Sequence, residues 1–357
     1  MMSIAPLTTS VWHQHLRTGA FFLLPVAVLS LVLLELTIGS VPVPLADVLA
    51  IVLGGASSSA SYELIVLELR LPRAVTAGLC GAALGAAGLQ LQTLFRNPLA
   101  GPWVLGITAG AQFGVALVVA TGAVVASPML ARLGFLSDLG LLAGAFLGAG
   151  VVAAIIAAVA QRVSTVTLLV LGLMLGYLAQ GLVSVVLHFT TEVQARVFAA
   201  WNDGSFGGVQ WRDLRILVPL VGTALGAALL MAKPLNALLL GEEYAASLGL
   251  SARRARYLVL FCAVALAAPV TAYCGPILFL GIIAPHLARG LCNTSDHRVL
   301  MPVTVLLGAT LALAADLLVH LPWERHVLHL NAVTAVIGAP LVIWIVLRSR
   351  QMRSLAL

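Results

Sequence analysis

Residues 68–114 read ELRLPRAVTAGLCGAALGAAGLQLQTLFRNPLAGPWVLGITAGAQFG. From Leu71 to Phe95 the stretch is apolar and long enough, at about 1.5 Å per helical residue, to cross a hydrocarbon layer roughly 30 Å thick. Its interior carries small residues at Gly78, Gly81, Ala82, Gly85, Ala86 and Gly88. In lipid, helices gain little by hiding apolar side chains from one another. Close backbone approach through small-residue ladders drives their association instead. The segment therefore reads as a transmembrane helix enclosed by others on most sides. Gln90 and Gln92 stand near one end of it, where an amide has to face protein, water or a pathway. Arg70 and Arg73 stand at the other end and need a reason of their own.

The rest of the chain lives in the same solvent. Of its 357 residues, 61% are hydrophobic and 9% charged, with a mean hydropathy of +1.08. Soluble domains carry about a quarter charged residues, so this composition cannot clothe a water-facing surface. The basic pI of about 9.6 is then a matter of where charges lie along the membrane, and nucleic-acid binding is excluded as its explanation. Cys80, Cys262, Cys274 and Cys292 have no metal-ligand spacing and read as small packing residues. The apolar run Ala20–Leu34 lacks a clear small-x-small cleavage site and reads as a retained first helix.

Apolar runs predict helices near 19–38, 71–95, 103–125, 138–160, 166–188, 214–232, 256–272, 277–291, 300–320 and 333–348. That is an all-α, polytopic membrane protein with about ten transmembrane helices in a single domain over 1–357, both termini on one side. With the termini cytoplasmic, twelve of the 19 Lys and Arg residues lie inside and seven outside, the sign the positive-inside rule requires. Arg70, Arg73 and Arg325 are then among the external cations.

Catalytic signatures are missing. There is no G-x-x-x-x-G-K-[ST] loop, no H-E-x-x-H and no G-x-S-x-G. Glu35 and Asp316 are the acids inside apolar runs, a thin set for a carrier driven by an ion gradient. The longest inside loop, about 233–255, contains short amphipathic pieces punctuated by Gly241 and Gly249. Its apolar residues, including Leu238–Leu240, suit either a surface covered by another protein or a helix lying on lipid.

Six ordered motifs carry a resemblance over nearly the whole chain: the stretch from Leu69 to Ala111, WNDGSFGGVQW (201–211), LGEEYAASLGL (240–250), GPILFLGIIAPHLAR (275–289), DHRVLMPVTVLLGATLALAAD (296–316) and VTAVIGAPLVIWIVL (333–347). In these the chain resembles the FecCD-type permeases, membrane subunits of bacterial ABC importers for iron–siderophore complexes, haem and cobalamin. The resemblance implies the type II importer fold and a location in the bacterial cytoplasmic (inner) membrane. It implies a second permease subunit, as homodimer or heterodimer, two ATP-binding-cassette ATPase subunits and an external substrate-binding protein. The chain would be a transport subunit and no enzyme, without a cofactor of its own, since ATP would sit in the partner ATPases. Ferric siderophore is the expected cargo, with haem or cobalamin as the alternative; an ion-gradient-driven secondary transporter is the alternative of another class.

By the same resemblance, Arg70 and Arg73 match external arginines that meet carboxylates on the binding protein, with Arg325 as a third candidate. Anchoring to lipid phosphates is the competing role. Gly241, Glu242, Glu243, Ala245, Leu248, Gly249 and Leu250 match the coupling segment seated in the ATPase. Asn97, Leu99, Ser164 and Thr165 are candidates for an inner gate, with helix capping and a proline-fixed turn as the competing roles. The chain departs from the family after Asp316: His320 replaces an arginine, and Val327, His329 and Asn331 replace the Glu, Pro and Gly of an E-x-P-x-G element. Asp296, His297 and Arg298 read as a local turn.

Overall fold

The computed structural model describes residues 8–121, 134–160, 162–241, 247, 249, 251–321 and 328–354. Among these residues there are helices and no strands. The helices are α1 (Thr8–Thr37), α2 (Leu45–Val52), α3 (Ala60–Leu94), α4 (Ile107–Ala120), α5 (Gly134–Val159), α6 (Thr165–His188) and α7 (Glu192–Asn202). They continue as α8 (Trp211–Leu230), α9 (Ala232–Leu240), α10 (Ala252–Cys274), α11 (Leu280–Cys292), α12 (His297–Val319) and α13 (Leu330–Ser354). Each of the ten expected segments falls on a helix. Among the described residues, six helices are long and apolar enough to cross a membrane: α3, α5, α6, α8, α10 and α12. The apolar parts of α1, α4, α11 and α13 are shorter, so ten full-length spans are not what length and composition support. The short helices α2 and α7 were not foreseen, because their apolar stretches are too brief to stand out from loops, whereas α9 falls on the short amphipathic pieces expected before Gly241.

α3 begins at Ala60, eleven residues earlier than the expected start at Leu71 beside Pro72. Proline removes a backbone N–H and crowds the preceding turn. Here the strain is taken up by a π-helical stretch, Ile65–Arg70, immediately before it. The Leu67 carbonyl accepts from Trp211 Nε1 at 2.8 Å, which ties the stretch to α8.

α3 is the axis of the packing. Its side chains from Cys80 to Thr93 are buried, and it contacts α12, α10, α11 and α8. Glycine makes this possible at two crossings. A Cβ on Gly81 would collide with the Gly308 carbonyl of α12, and one on Gly88 with the Gly281 carbonyl of α11. Cys80, Cys262, Cys274 and Cys292 are buried within this core and none forms a disulfide among the described residues. At the opposite extreme, α6 leaves Met174, Tyr177, Leu178 and Val185 exposed.

α9 corrects one expectation about the 233–255 loop. Leu235 and Leu238 are buried, and the helix packs on α3 and α12. Of the three leucines read as an exposed surface, Leu238 is therefore internal and Leu240 is exposed.

Candidate functional site at the two ends of the bundle

At one end, α1, α3 and α12 bring Glu35, Arg70, Arg73 and Asp316 together. Arg70 is 7% exposed. Its guanidinium donates to the Leu36 carbonyl at 2.8 Å and to the Val41 carbonyl, closing the turn after α1. Gly39 leaves the room, since a Cβ there would lie 2.7 Å from Arg70 Nη2. Arg70, expected at an outward docking surface, thus has its guanidinium engaged with backbone carbonyls inside the protein. The backbone carbonyls of residues 36–41 need a donor as that turn leaves the helix, and Arg70 supplies it. Arg70→Met should lower stability by about 1.5–3 kcal/mol, the range for hydrogen bonds involving a charged group. A fall in melting temperature, with faster maleimide labelling of the buried cysteines, checks it.

Arg73 sits one turn further along α3 and is only partly covered. Its Nε donates to Asp316 Oδ2 at 2.6 Å, with side-chain exposures of 15% and 2%. The two terminal guanidinium nitrogens make no hydrogen bond among the described residues. His320 Nδ1 lies 2.9 Å from the Asp316 carbonyl oxygen and 3.4 Å from Asp316 Oδ1. The residue at the family's arginine position thus folds back onto α12. Glu35 is 1% exposed, and neither carboxylate oxygen has a hydrogen-bond partner among the described residues.

Another departing residue, Asn331, has a clear task. Asn331 Nδ2 donates to the Pro276 carbonyl at 2.7 Å, and its Oδ1 accepts from Leu278 N at 3.2 Å. It pins the loop between α10 and α11 beside Gly204 and Gly275, whose φ values of +75° and +72° favour glycine. Ser205 N donates to the Cys274 carbonyl at 2.9 Å, and Trp201 Nε1 to the Ala272 carbonyl at 3.0 Å, which fastens the WNDGSF segment to the same corner.

At the opposite end, α3 stops where Arg96 adopts φ +46°. That left-handed backbone is uncommon for a residue other than glycine. Asn97 Oδ1 accepts from Leu99 N at 2.8 Å, so Asn97 shapes the turn, which Pro98 stiffens. Beside it runs a chain of side-chain hydrogen bonds. Asn236 on α9 donates Nδ2 to Asp296 Oδ1 at 2.6 Å. Its Oδ1 therefore faces His297, accepting from the backbone N at 2.9 Å and from Nδ1 at 2.7 Å. A carbonyl oxygen only accepts, so Nδ1 carries the proton. His297 Nε2 lies 2.7 Å from Thr93 Oγ1 on α3.

Asp296 also caps α12 through Arg298 N at 2.9 Å. This bond and the Asn236 amide hold its carboxyl below the usual carboxylate range. Residues 296–298 are thus more than a local turn: they join α9 to the Thr93 end of α3. Asn236→Ala would strip a hydrogen-bond partner from a ring that is 1% exposed. We expect a loss of about 1–3 kcal/mol, read as a lower melting temperature in detergent.

Of the other expected site residues, Gly241 and Gly249 are described, with φ +121° and +78°. Both bends of the coupling segment therefore fall where glycine is favoured. Glu242, Glu243, Ala245, Leu248 and Leu250 lie outside the described residues, as does Arg325. Ser164 caps α6, accepting from Thr167 N at 3.2 Å; Thr165 opens the same helix. Asn97 and Ser164 therefore both carry local turn or cap hydrogen bonds. Sequence reading missed Thr93, Asn236 and Arg289 altogether. Lone polar residues in apolar runs give no hint of their partners. Gln92 is resolved as a linker: its Oε1 accepts from Arg289 Nη1 at 2.6 Å, and its Nε2 faces the Gly281 and Ile282 carbonyls at 3.5 and 3.4 Å.

Bundle, glycine crossings and motif corners can be set beside known proteins. Residues 27–348 match the model of the FecCD transport family. The chain is 36% identical over 293 residues to the vitamin B12 import system permease protein BtuC of Klebsiella pneumoniae subsp. pneumoniae, covering 82% of this chain and 85% of that one. It is 37% identical over 290 residues to BtuC of Escherichia coli O9:H4, covering 81% and 85%. BtuC of Citrobacter koseri is 36% identical over 294 residues, covering 82% and 86%. A solved metal-chelate type ABC transporter in an inward-facing conformation superposes with a TM-score of 0.75 at 29% identity, covering 92% of this chain and 99% of that one. These matches leave aside the alternative of a secondary transporter and bear out the expected family: the chain is a multi-pass membrane protein that belongs to the FecCD transport family, as a permease subunit of an ABC importer.

Proposed function

We propose that this permease moves a cobalamin-class metal chelate into the cytoplasm. The observation that carries the reading is the run of vitamin B12 permeases at 36–37% identity over four-fifths of the chain. It takes the place of the ferric siderophore expected from sequence. A siderophore complex is the second reading, favoured by the metal-chelate type transporter that shares the fold.

In this reading the end bearing Arg73 faces outward and the end bearing Arg96 faces the cytoplasm, with both termini cytoplasmic. The chain pairs with a second permease subunit. Two ATPase subunits seat the 241–250 segment, and a binding protein delivers cargo to the Arg73 end. Closure of the ATPases pushes on α9, and the Asn236–His297–Thr93 chain passes the movement to the 96–99 turn. Asn97 and Leu99 there, with Ser164 and Thr165 at the start of α6, close the inner end of the path. The supports are the hydrogen bonds that join α9 to α3 and the two glycine bends at Gly241 and Gly249.

The test is uptake into proteoliposomes holding the permease with its ATPase and binding protein. Labelled cobalamin, ferric siderophore and haem are compared, with vanadate in one arm and a protonophore in another. Cobalamin uptake abolished by vanadate and indifferent to the protonophore is expected. Uptake of ferric siderophore alone would move the assignment to the second reading.

A further inference from the structure

Between the 96–99 turn, α11 and the start of α12 lies a cavity of about 360 Å³. We propose that it binds a phosphate-bearing anion, a phosphate monoester or diester. Arg96, Arg289, His286 and His297 line it, together with the hydroxyl residue Ser295 and the amide of Asn97, and no Asp or Glu is among the described lining residues.

The charge accounting points the same way. Arg289 spends one donor on the neutral Gln92 amide at 2.6 Å. Arg96 spends one on the Leu238 carbonyl at 3.1 Å. Neither guanidinium meets a carboxylate among the described residues. The acid nearest Arg289 in sequence, Asp296, already accepts from Asn236 and Arg298 N. His286 Nδ1 is buried with no hydrogen-bond partner. Arg289 is partly buried, whereas Arg96 is exposed, and a cation drawn from water needs a counter-charge, or its desolvation cost stands uncompensated. Guanidinium forks match phosphate oxygens in pairs, which makes phosphate a better partner than a monovalent halide. The volume is at the lower end of small-molecule pockets, roughly 300–1,000 Å³, enough for a phosphate and a short alcohol. An anion held there would bridge the turn after α3 to α11 and α12, whatever cargo the permease carries.

A free phosphate ester and an anionic lipid headgroup offer the same chemistry, and the test separates them. The full-length chain is delipidated and placed in phosphatidylcholine nanodiscs. Melting temperature is followed against inorganic phosphate at constant ionic strength, with chloride as the balance. In a second arm, phosphate-free, nanodiscs contain rising fractions of phosphatidylglycerol. A saturable rise in melting temperature is expected in one arm. The phosphate arm would mark a soluble ligand and the phosphatidylglycerol arm a lipid headgroup.

Arg289→Gln and Arg96→Gln should each weaken the apparent affinity about tenfold, the scale of one charge-assisted contact. Arg196→Gln, at a surface ion pair with Glu192, should leave it unchanged. Should Arg289→Gln fail to fold, Arg96→Gln, at an exposed position, and Ser295→Ala carry the same reading. Absence of a saturable response in both arms, or one undiminished in these variants, overturns the proposal.

Discussion

Gly88→Val will leave almost no folded permease. The new Cβ would occupy the place of the Gly281 carbonyl, so α3 and α11 would have to separate along their contact. Overpacking that side chains can absorb costs about 1–3 kcal/mol, and two backbones in contact have no rotamer to yield. The loss should exceed that range and appear as a collapsed yield of monodisperse protein. Gly222→Val is the matched control, because a Cβ there meets nothing within 4 Å; its yield and melting temperature should equal those of the parent. A Gly88→Val protein with the parent melting temperature would show that α3 and α11 are not packed backbone to backbone.

Arg73→Glu should reduce uptake by at least tenfold, for two separable reasons. The substitution puts a third acid beside Asp316 and Glu35, which are 1% exposed. Removing one member of a buried ion pair costs about 3–5 kcal/mol, mostly through the charge left behind. In the proposed function it also reverses a charge facing the binding protein, which acts chiefly on encounter rate and register. A cycle of Arg73→Gln, Asp316→Asn and the double variant divides the two. Melting temperature should largely recover in the double variant. Affinity for the binding protein should stay weakened, with a smaller dependence on salt. Recovery of both quantities together would assign Arg73 to internal pairing alone.

The solvent, the all-helical class and the positions of the apolar helices were legible because hydropathy over about 20 residues is a local property of the chain. The Gly81–Gly88 ladder also announced close packing without naming the partner. Family motifs carried the permease assignment across nearly the whole chain. Cargo was less legible: the same motifs serve several metal chelates, and the expected siderophore gave way to a cobalamin-class reading only when relatives were compared.

What tertiary structure decided is which polar groups meet. Arg70 and Arg73 look equivalent in sequence, three residues apart at one helix mouth. One turns inward to the carbonyls after α1 and the other to Asp316, 243 positions away. Asn331 breaks the family pattern in sequence, yet its amide fastens the loop before α11. Thr93, Asn236 and His297 are scattered over three helices and become one chain of hydrogen bonds. Hydropathy sums over neighbours along the chain and can be read from one segment at a time. A hydrogen bond needs two groups within about 3 Å in space, and only the packing of α3 against α1, α9, α11 and α12 sets that distance.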